Sequence, residues 1–301
     1  MASGNQRSLA RLRHIYVVPT FSCQLKCHSC YAAKQADHFN GYLSWPSFLR
    51  VFDFFGPSLR SVALVGGEPT QWKFIREAIL FLQNKGKAVT LFSNGLDYVG
   101  VYPNRIIVNG TALIAGDRCS LVSRNLARYR QQSVDIRIRF NVGEDWSERD
   151  TERALTAVRR YSASVSISAR YPVPRTNTVG SVIFGFARAA VGAGACVSIS
   201  RCAPRCIFTN EQYHYLARQC GLKSTCPLPS ASVVVLPDGW SIQPCVEIPS
   251  PYTLADLRTR SARALFRGLV EAIRVNGANK CKDCDHYEAR QCGGGCLAYL
   301  G

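Results

Sequence analysis

A chain of 301 residues is long enough for one large domain with a smaller one appended. Its formal charge of +17, from 37 Lys and Arg against 20 Asp and Glu, favours an anionic partner such as an acidic peptide or phosphorylated metabolite, and speaks against a polycationic one. No window offers the roughly 18 uninterrupted apolar residues of a membrane-spanning helix, since the longest candidate, residues 181–195, carries Arg188. Residues 1–13 hold arginines but no apolar signal core, so a soluble, cytoplasmic protein is expected. In that compartment the 14 cysteines stay reduced and available to metal. Some of the positive charge is offset if thiolates bind metal. The lack of a Lys/Arg block interleaved with aromatics argues against nucleic acid.

The first strand-like run, residues 14–19, leads into Phe21-Ser-Cys-Gln-Leu-Lys-Cys-His-Ser-Cys-Tyr31, which spaces Cys23, Cys27 and Cys30 four and three residues apart. Three thiolates can hold one iron-sulfur cubane and leave its remaining iron open to an added ligand. The same spacing also suits three buried cysteines on one face of a helix. Against that stands the polarity of Gln24, Lys26, His28 and Ser29. A helical pattern at residues 45–55, with Ser44 as N-cap, separates this loop from an apolar strand at 62–65. The strand ends in Gly66-Gly67-Glu68-Pro69-Thr70, where paired glycines let a ligand approach bare backbone, their carbonyls can accept from an ammonium, and Glu68 adds a matching charge.

Taken together, the cysteine loop and the Gly-Gly-Glu-Pro segment resemble those of the radical S-adenosylmethionine superfamily. The resemblance covers roughly the first 200 residues as architecture. It implies that Cys23, Cys27 and Cys30 hold a [4Fe-4S] cluster and that Gly66, Gly67 and Glu68 receive the methionine amino group. Where the family often has an aromatic before the third cysteine, this chain has Ser29, and Tyr31 is taken to contact adenine in its place.

Further along, helical patterns at 72–85, 120–132 and 148–161, the last with Ser147 as N-cap, alternate with strands at 88–92, 105–108, 134–142 and 164–170. Repeated βα units give a parallel sheet with right-handed crossovers, and six such strands fit the family's partial (β/α)6 barrel, an α/β fold whose chemistry sits at the C-terminal strand ends. Ser93-Asn94-Gly95, ending the third strand, resembles the family's segment near the ribose. In the fifth strand Ile136, Ile138 and Phe140 alternate with Arg137, Arg139 and Asn141; in the sixth Val165, Ile167 and Ala169 alternate with Ser164, Ser166, Ser168 and Arg170. With helices outside, the polar set points into the lumen, where an arginine is suited to the methionine carboxylate. A one-residue change of phase turns these arginines out to solvent instead.

After residues 181–195, read as a buried helix, cysteines crowd the chain: Cys202, Cys206, Cys220, Cys226, Cys245, Cys281, Cys284, Cys292 and Cys296. Residues 233–245 read as a hairpin turning at Pro237-Asp238-Gly239 and expected to cap the barrel. Cys281-x2-Cys284 followed by Cys292-Gly-Gly-Gly-Cys296 is a metal signature, with zinc as the rival to iron-sulfur. The tail resembles the SPASM/twitch extensions that carry auxiliary [4Fe-4S] clusters, which implies a barrel over 1–200 and an auxiliary cluster domain over 201–301. It ends at Gly301 without the further cysteine usual in a full SPASM domain. One partition gives Cys202, Cys206, Cys226 and Cys245 to one cluster and Cys281, Cys284, Cys292 and Cys296 to another. A second brings in Cys220, moves Cys296 to the first set and leaves an open iron. Cys119 and Cys196 are expected to be core thiols, and the five histidines show no metal pairing.

Two functional classes follow. The first is an enzyme that uses S-adenosylmethionine and one or two auxiliary clusters beside the first, with an electron donor such as flavodoxin or ferredoxin. It would abstract hydrogen from a C–H bond of an anionic peptide or metabolite, or of a sugar-type antibiotic intermediate, for epimerisation, oxidation or crosslinking. No peptide-binding domain precedes Cys23, so a leader peptide is expected to dock elsewhere. An epimerase needs a thiol hydrogen donor, for which Cys220 or Cys226 is the candidate. The second class is a zinc- or cluster-stabilised binding protein with an inert barrel.

Overall fold

The computed structural model describes residues 12–27, 30–39, 41–114, 118–161, 163–173, 176–230, 232–278 and 281–300, so His28 and Ser29 lie outside the described residues. In chain order the strands are β1 (His14–Val17), β2 (Ser61–Leu64), β3 (Ala88–Ser93), β4 (Arg105–Asn109), β5 (Asp135–Val142), β6 (Ser164–Ala169), β7 (Val197–Ile199), β8 (Val233–Val235) and β9 (Ile242–Gln243). The helices are α1 (Tyr31–Ala36), α2 (Trp45–Phe55), α3 (Ile75–Asn84), α4 (Thr111–Ile114), α5 (Cys119–Gln131), α6 (Glu148–Tyr161), α7 (Asn177–Gly192), α8 (Asn210–Cys220), α9 (Ala262–Ala278) and α10 (Asp285–Glu288). By internal contacts the chain forms two compact units: Met1–Ser93 with Asp97–Ile106 and Leu228–Val270, and Asn94–Leu96 with Ile107–Pro227 and Glu271–Gly301.

In the first unit β3, β2, β1 and β8 lie side by side and parallel, with Ile15 opposite both Val62 and Val233. β2 and β8 are buried on both faces, as suits inner strands of a parallel sheet, while β1 and β3 alternate buried residues with half-buried or exposed ones such as His14, Tyr16, Ala88 and Thr90. Helix α2 starts where the Ser44 hydroxyl accepts from Ser47 N at 3.2 Å, and it buries Phe48, Val51 and Phe55 along one stripe. The helix expected from residue 72 begins at Ile75. Pro69–Gln71 forms its own 3-10 turn, after which Trp72 is fully buried with its indole N–H on the Leu43 carbonyl at 2.7 Å. The 233–245 hairpin forms, with β9 antiparallel to β8. It does not cap the strands: β8 extends the sheet beside β1, because Val233, Val234 and Val235 are all buried and fill a two-faced position.

In the second unit β5, β6 and β7 are parallel, pairing Arg139 with Ser166 and Ile167 with Ile199. The expected period of two is present: Ile136, Ile138, Phe140 and Val142 are buried while Arg137, Arg139 and Asn141 are half-buried. Phe140 packs edge-on to Phe186 of α7 at 5.4 Å, so the apolar set faces the helix. The polar set therefore stands on the opposite face of the strand. Helix α7 is not buried all round. Val179, Ile183, Phe186 and Ala190 form its inner stripe and Arg188 points outward, the ordinary amphipathic solution for a surface helix. No helix among the described residues is long and apolar enough to cross a membrane.

Candidate active site

Residues 22–27 are not helical, which removes the reading of Cys23, Cys27 and Cys30 as one buried helix face. All three thiols are partly exposed. Cys30 stands at the N-cap of α1, and the Cys23 sulfur accepts from Leu25 N at 3.3 Å. The Gly-Gly-Glu-Pro segment lies against this loop through backbone bonds: Gly67 N donates to Thr20 O at 3.0 Å, and Glu68 N to Ser22 O at 2.8 Å. A Cβ on Gly67 would sit 2.2 Å from the Phe21 carbonyl oxygen, and Gly66 holds a φ of +155°, so both positions need glycine. Tyr31 Oη donates to the Gly66 carbonyl at 2.7 Å, tying α1 to the same segment. Glu68 is fully buried, and Ser93 Oγ, Thr70 Oγ1 and Thr70 N converge on its Oε1 at 2.9, 2.8 and 3.2 Å. Ser93 thus joins the group, whereas Asn94 accepts from Leu96 N at 2.9 Å and closes its own turn.

In the second unit the register sets Arg137, Arg139 and Asn141 opposite Ser164, Ser166 and Ser168 on one polar face. Arg137 Nε donates to Ser164 Oγ at 3.0 Å, and the Ser168 hydroxyl to the Ala169 carbonyl at 3.2 Å. Arg170 continues that face and is ion-paired to Asp145.

No family model matches the chain and no curated protein sequence matches it. Among solved structures, Streptococcus suis SuiB superposes over 78% of this chain and 60% of its own, with a TM-score of 0.59 at 11% identity. SuiB bound to S-adenosylmethionine gives 79% and 61%, TM-score 0.56, at 12% identity. SuiB bound to the precursor peptide SuiA gives 78% and 59%, TM-score 0.52, at 12% identity. The chain shares the fold of SuiB. Its α/β, parallel-stranded core and its two motifs agree with that likeness, which at such identity is one of fold, and the chain spans about 60% of the length of SuiB.

By kind and arrangement the residues are suited to hold two groups: thiols on an open loop for a cluster, and a bare glycine backbone beside a buried carboxylate for an amino group. In the tail, Cys202 lies against Cys226 and close to Cys296, while its own Sγ reaches the Thr225 carbonyl at 3.2 Å. The hydrogen bond with Cys226, then burial, push the Cys202 thiol up, as expected of crowded sulfurs that a cation would relieve. Tyr171, stacked on Tyr299 at 4.7 Å, donates to the Cys202 carbonyl, and burial followed by the nearby Cys296 pushes its hydroxyl up. Cys292 lies near this group, its sulfur accepting from Arg205 N at 3.4 Å and Gly294 N at 3.3 Å. Beside it an open cavity of about 870 Å³ is lined by Arg274, Lys282 and Arg290 with Glu288. Cys206 is exposed in the Arg205–Ile207 turn, Cys281 and Cys284 precede α10, and Cys245 belongs to the first unit. Among the described residues no three His, Cys, Asp or Glu side chains are arranged around a single metal ion.

Cys119 is half-buried, but Cys196 is exposed rather than a core thiol, standing directly before the edge strand β7. Cys220, at the end of α8, is buried, and burial followed by Cys196 pushes its pKa up to about 11. A raised thiol pKa keeps the neutral S–H up to pH near that value, so native protein at pH 8 is expected to alkylate at Cys196 with iodoacetamide while Cys220 is spared. Peptide mapping checks this, and equal labelling of both would contradict it.

Proposed function

We propose that this chain is a radical S-adenosylmethionine enzyme acting on a peptide or other anionic substrate. The observation that carries the reading is the meeting of the Cys23/Cys27/Cys30 loop and the Gly66-Gly67-Glu68 segment through paired backbone hydrogen bonds. Cys23, Cys27 and Cys30 would hold a [4Fe-4S] cluster, which would supply the electron for reductive cleavage of S-adenosylmethionine and so the means to abstract hydrogen from a substrate C–H bond. The chain's own tasks are binding and exclusion of water. Gly66, Gly67 and Glu68 receive the methionine ammonium, Ser93 and Asn94 border the ribose with Tyr31 near the adenine, and Arg137 or Arg139, with Asn141 and Ser168 beside them, takes the carboxylate. Arg170 is the weaker candidate, since Asp145 already neutralises it.

The division into a barrel at 1–200 and an auxiliary cluster domain at 201–301 is part of this reading. Cys202, Cys226 and Cys296 are its first candidate ligands, with Cys206, Cys245, Cys281, Cys284 and Cys292 supplying the remainder. The company of Cys226 suits a ligand better than a hydrogen donor. Cys220, a buried and protonated thiol, suits the donor of an epimerase, while an auxiliary cluster accepting an electron suits an oxidoreductase. Support for a peptide comes from SuiB, which is bound to a precursor peptide, and from the excess of cations here. A cytoplasmic setting with flavodoxin or ferredoxin as donor completes the proposal.

The test is anaerobic iron and sulfide reconstitution followed by dithionite and S-adenosylmethionine. Formation of 5′-deoxyadenosine is expected; an iron-loaded protein that forms none would refute the enzyme. With the true substrate in deuterium oxide, one solvent deuteron in the product, lost in Cys220→Ala, marks the epimerase. Product lighter by two hydrogens marks the oxidoreductase.

A further inference from the structure

A carboxylate outside both motifs ties them together. Asp97 comes just after the Asn94-Gly95 turn, and its Oδ2 accepts from Gln71 Nε2 at 2.9 Å, Gln24 Nε2 at 3.0 Å and Thr70 Oγ1 at 3.2 Å. Gln24 lies inside the cysteine loop, next to Cys23, while Thr70 and Gln71 follow Glu68-Pro69. The Thr70 hydroxyl has one proton, which serves Glu68 Oε1 at 2.8 Å, with Asp97 as its longer arm. A line of hydrogen bonds therefore runs from Ser93 through Glu68, Thr70 and Asp97 to Gln24. All of these residues belong to the first unit.

We infer that Asp97 is a positioning residue, which sets the Cys23 end of the loop relative to Glu68 and so the distance between the cluster ligands and the amino-group site. The backbone bonds between the motifs reach Ser22, and Asp97 carries the attachment on to Gln24. An ionised acceptor makes each of these bonds stronger than a neutral one. Asp97 is itself exposed and packs in no core, so its removal is expected to loosen the loop without unfolding the chain. This inference rests on the three-cysteine loop holding the cluster.

The test uses the reconstituted full chain with Asp97→Ala, Gln24→Ala, their double variant and Asp97→Asn. Iron content, KM and kcat for S-adenosylmethionine cleavage, and the electron paramagnetic resonance shift of the reduced cluster on adding S-adenosylmethionine are read together. Asp97→Ala is expected to keep its iron, raise KM about ten-fold and change kcat by less than about three-fold, as for lost hydrogen bonds to a charged acceptor. The double variant is expected to be no worse than Asp97→Ala, because both changes break one link. Asp97→Asn keeps an acceptor oxygen and is expected to recover part of the loss. An unchanged KM and spectrum in Asp97→Ala, or additive effects in the double variant, would overturn the inference. Should Asp97→Ala fail to take up iron, an unchanged KM in both Gln24→Ala and Asp97→Asn would overturn it. A wild-type chain that forms no 5′-deoxyadenosine would overturn the proposed function instead.

Discussion

The Cys23→Ala/Cys27→Ala/Cys30→Ala variant is expected to form no 5′-deoxyadenosine above background while keeping the circular dichroism of the parent. Total loss follows because removing all three thiols leaves the loop no cluster ligand. The fold should survive because these side chains are partly exposed on a non-helical loop. Cys30 is the most integrated of them, packing at the edge of the buried group formed by Val18, Phe21 and Ala32, and alanine there removes a single sulfur. Iron should fall by about four atoms per chain and not to zero, since the tail cysteines are untouched. A variant that still cleaves S-adenosylmethionine would refute the assignment of the loop. A variant that holds zinc and shows no iron-sulfur absorption would make the tail a zinc module.

Gly67→Ala is expected to be nearly as damaging through a different cause. The added methyl would lie 2.2 Å from the Phe21 oxygen and 2.3 Å from the Ser22 oxygen, both backbone atoms that cannot rotate away. The segment must shift off the cysteine loop, straining the bonds from Gly67 N and Glu68 N that join the two motifs. Overpacking of this kind costs about 1–3 kcal/mol of stability, read as a lower urea midpoint. Displacement of an amino-group site by about 1 Å is enough to lower activity about 100-fold, so S-adenosylmethionine cleavage should fall further than stability does. Wild-type activity in this variant would show that the two motifs need not touch.

What the sequence by itself determined was local. The spacing of Cys23, Cys27 and Cys30, the glycine pair before Glu68, and the period-two alternation of Arg137, Arg139 and Asn141 with apolar neighbours all depend on residues a few positions apart. Short-range stereochemistry leaves them few alternatives: alternation places side chains on opposite faces, and a close backbone approach admits only glycine. The six strands and the N-caps at Ser44 and Ser147 were legible for the same reason. Three matters were decided by tertiary structure. The valines of β8 carry no mark of their neighbour, and it was their burial on both faces beside β1 that made them sheet rather than cap. Cys202, Cys226 and Cys296 are separated by tens of residues, and chain order could not group them; the path of the backbone past Ser224 and Thr225 did. Nothing in the sequence marks Asp97, because a carboxylate acquires a role only from the donors brought to it, and here those donors arrive from two distant loops.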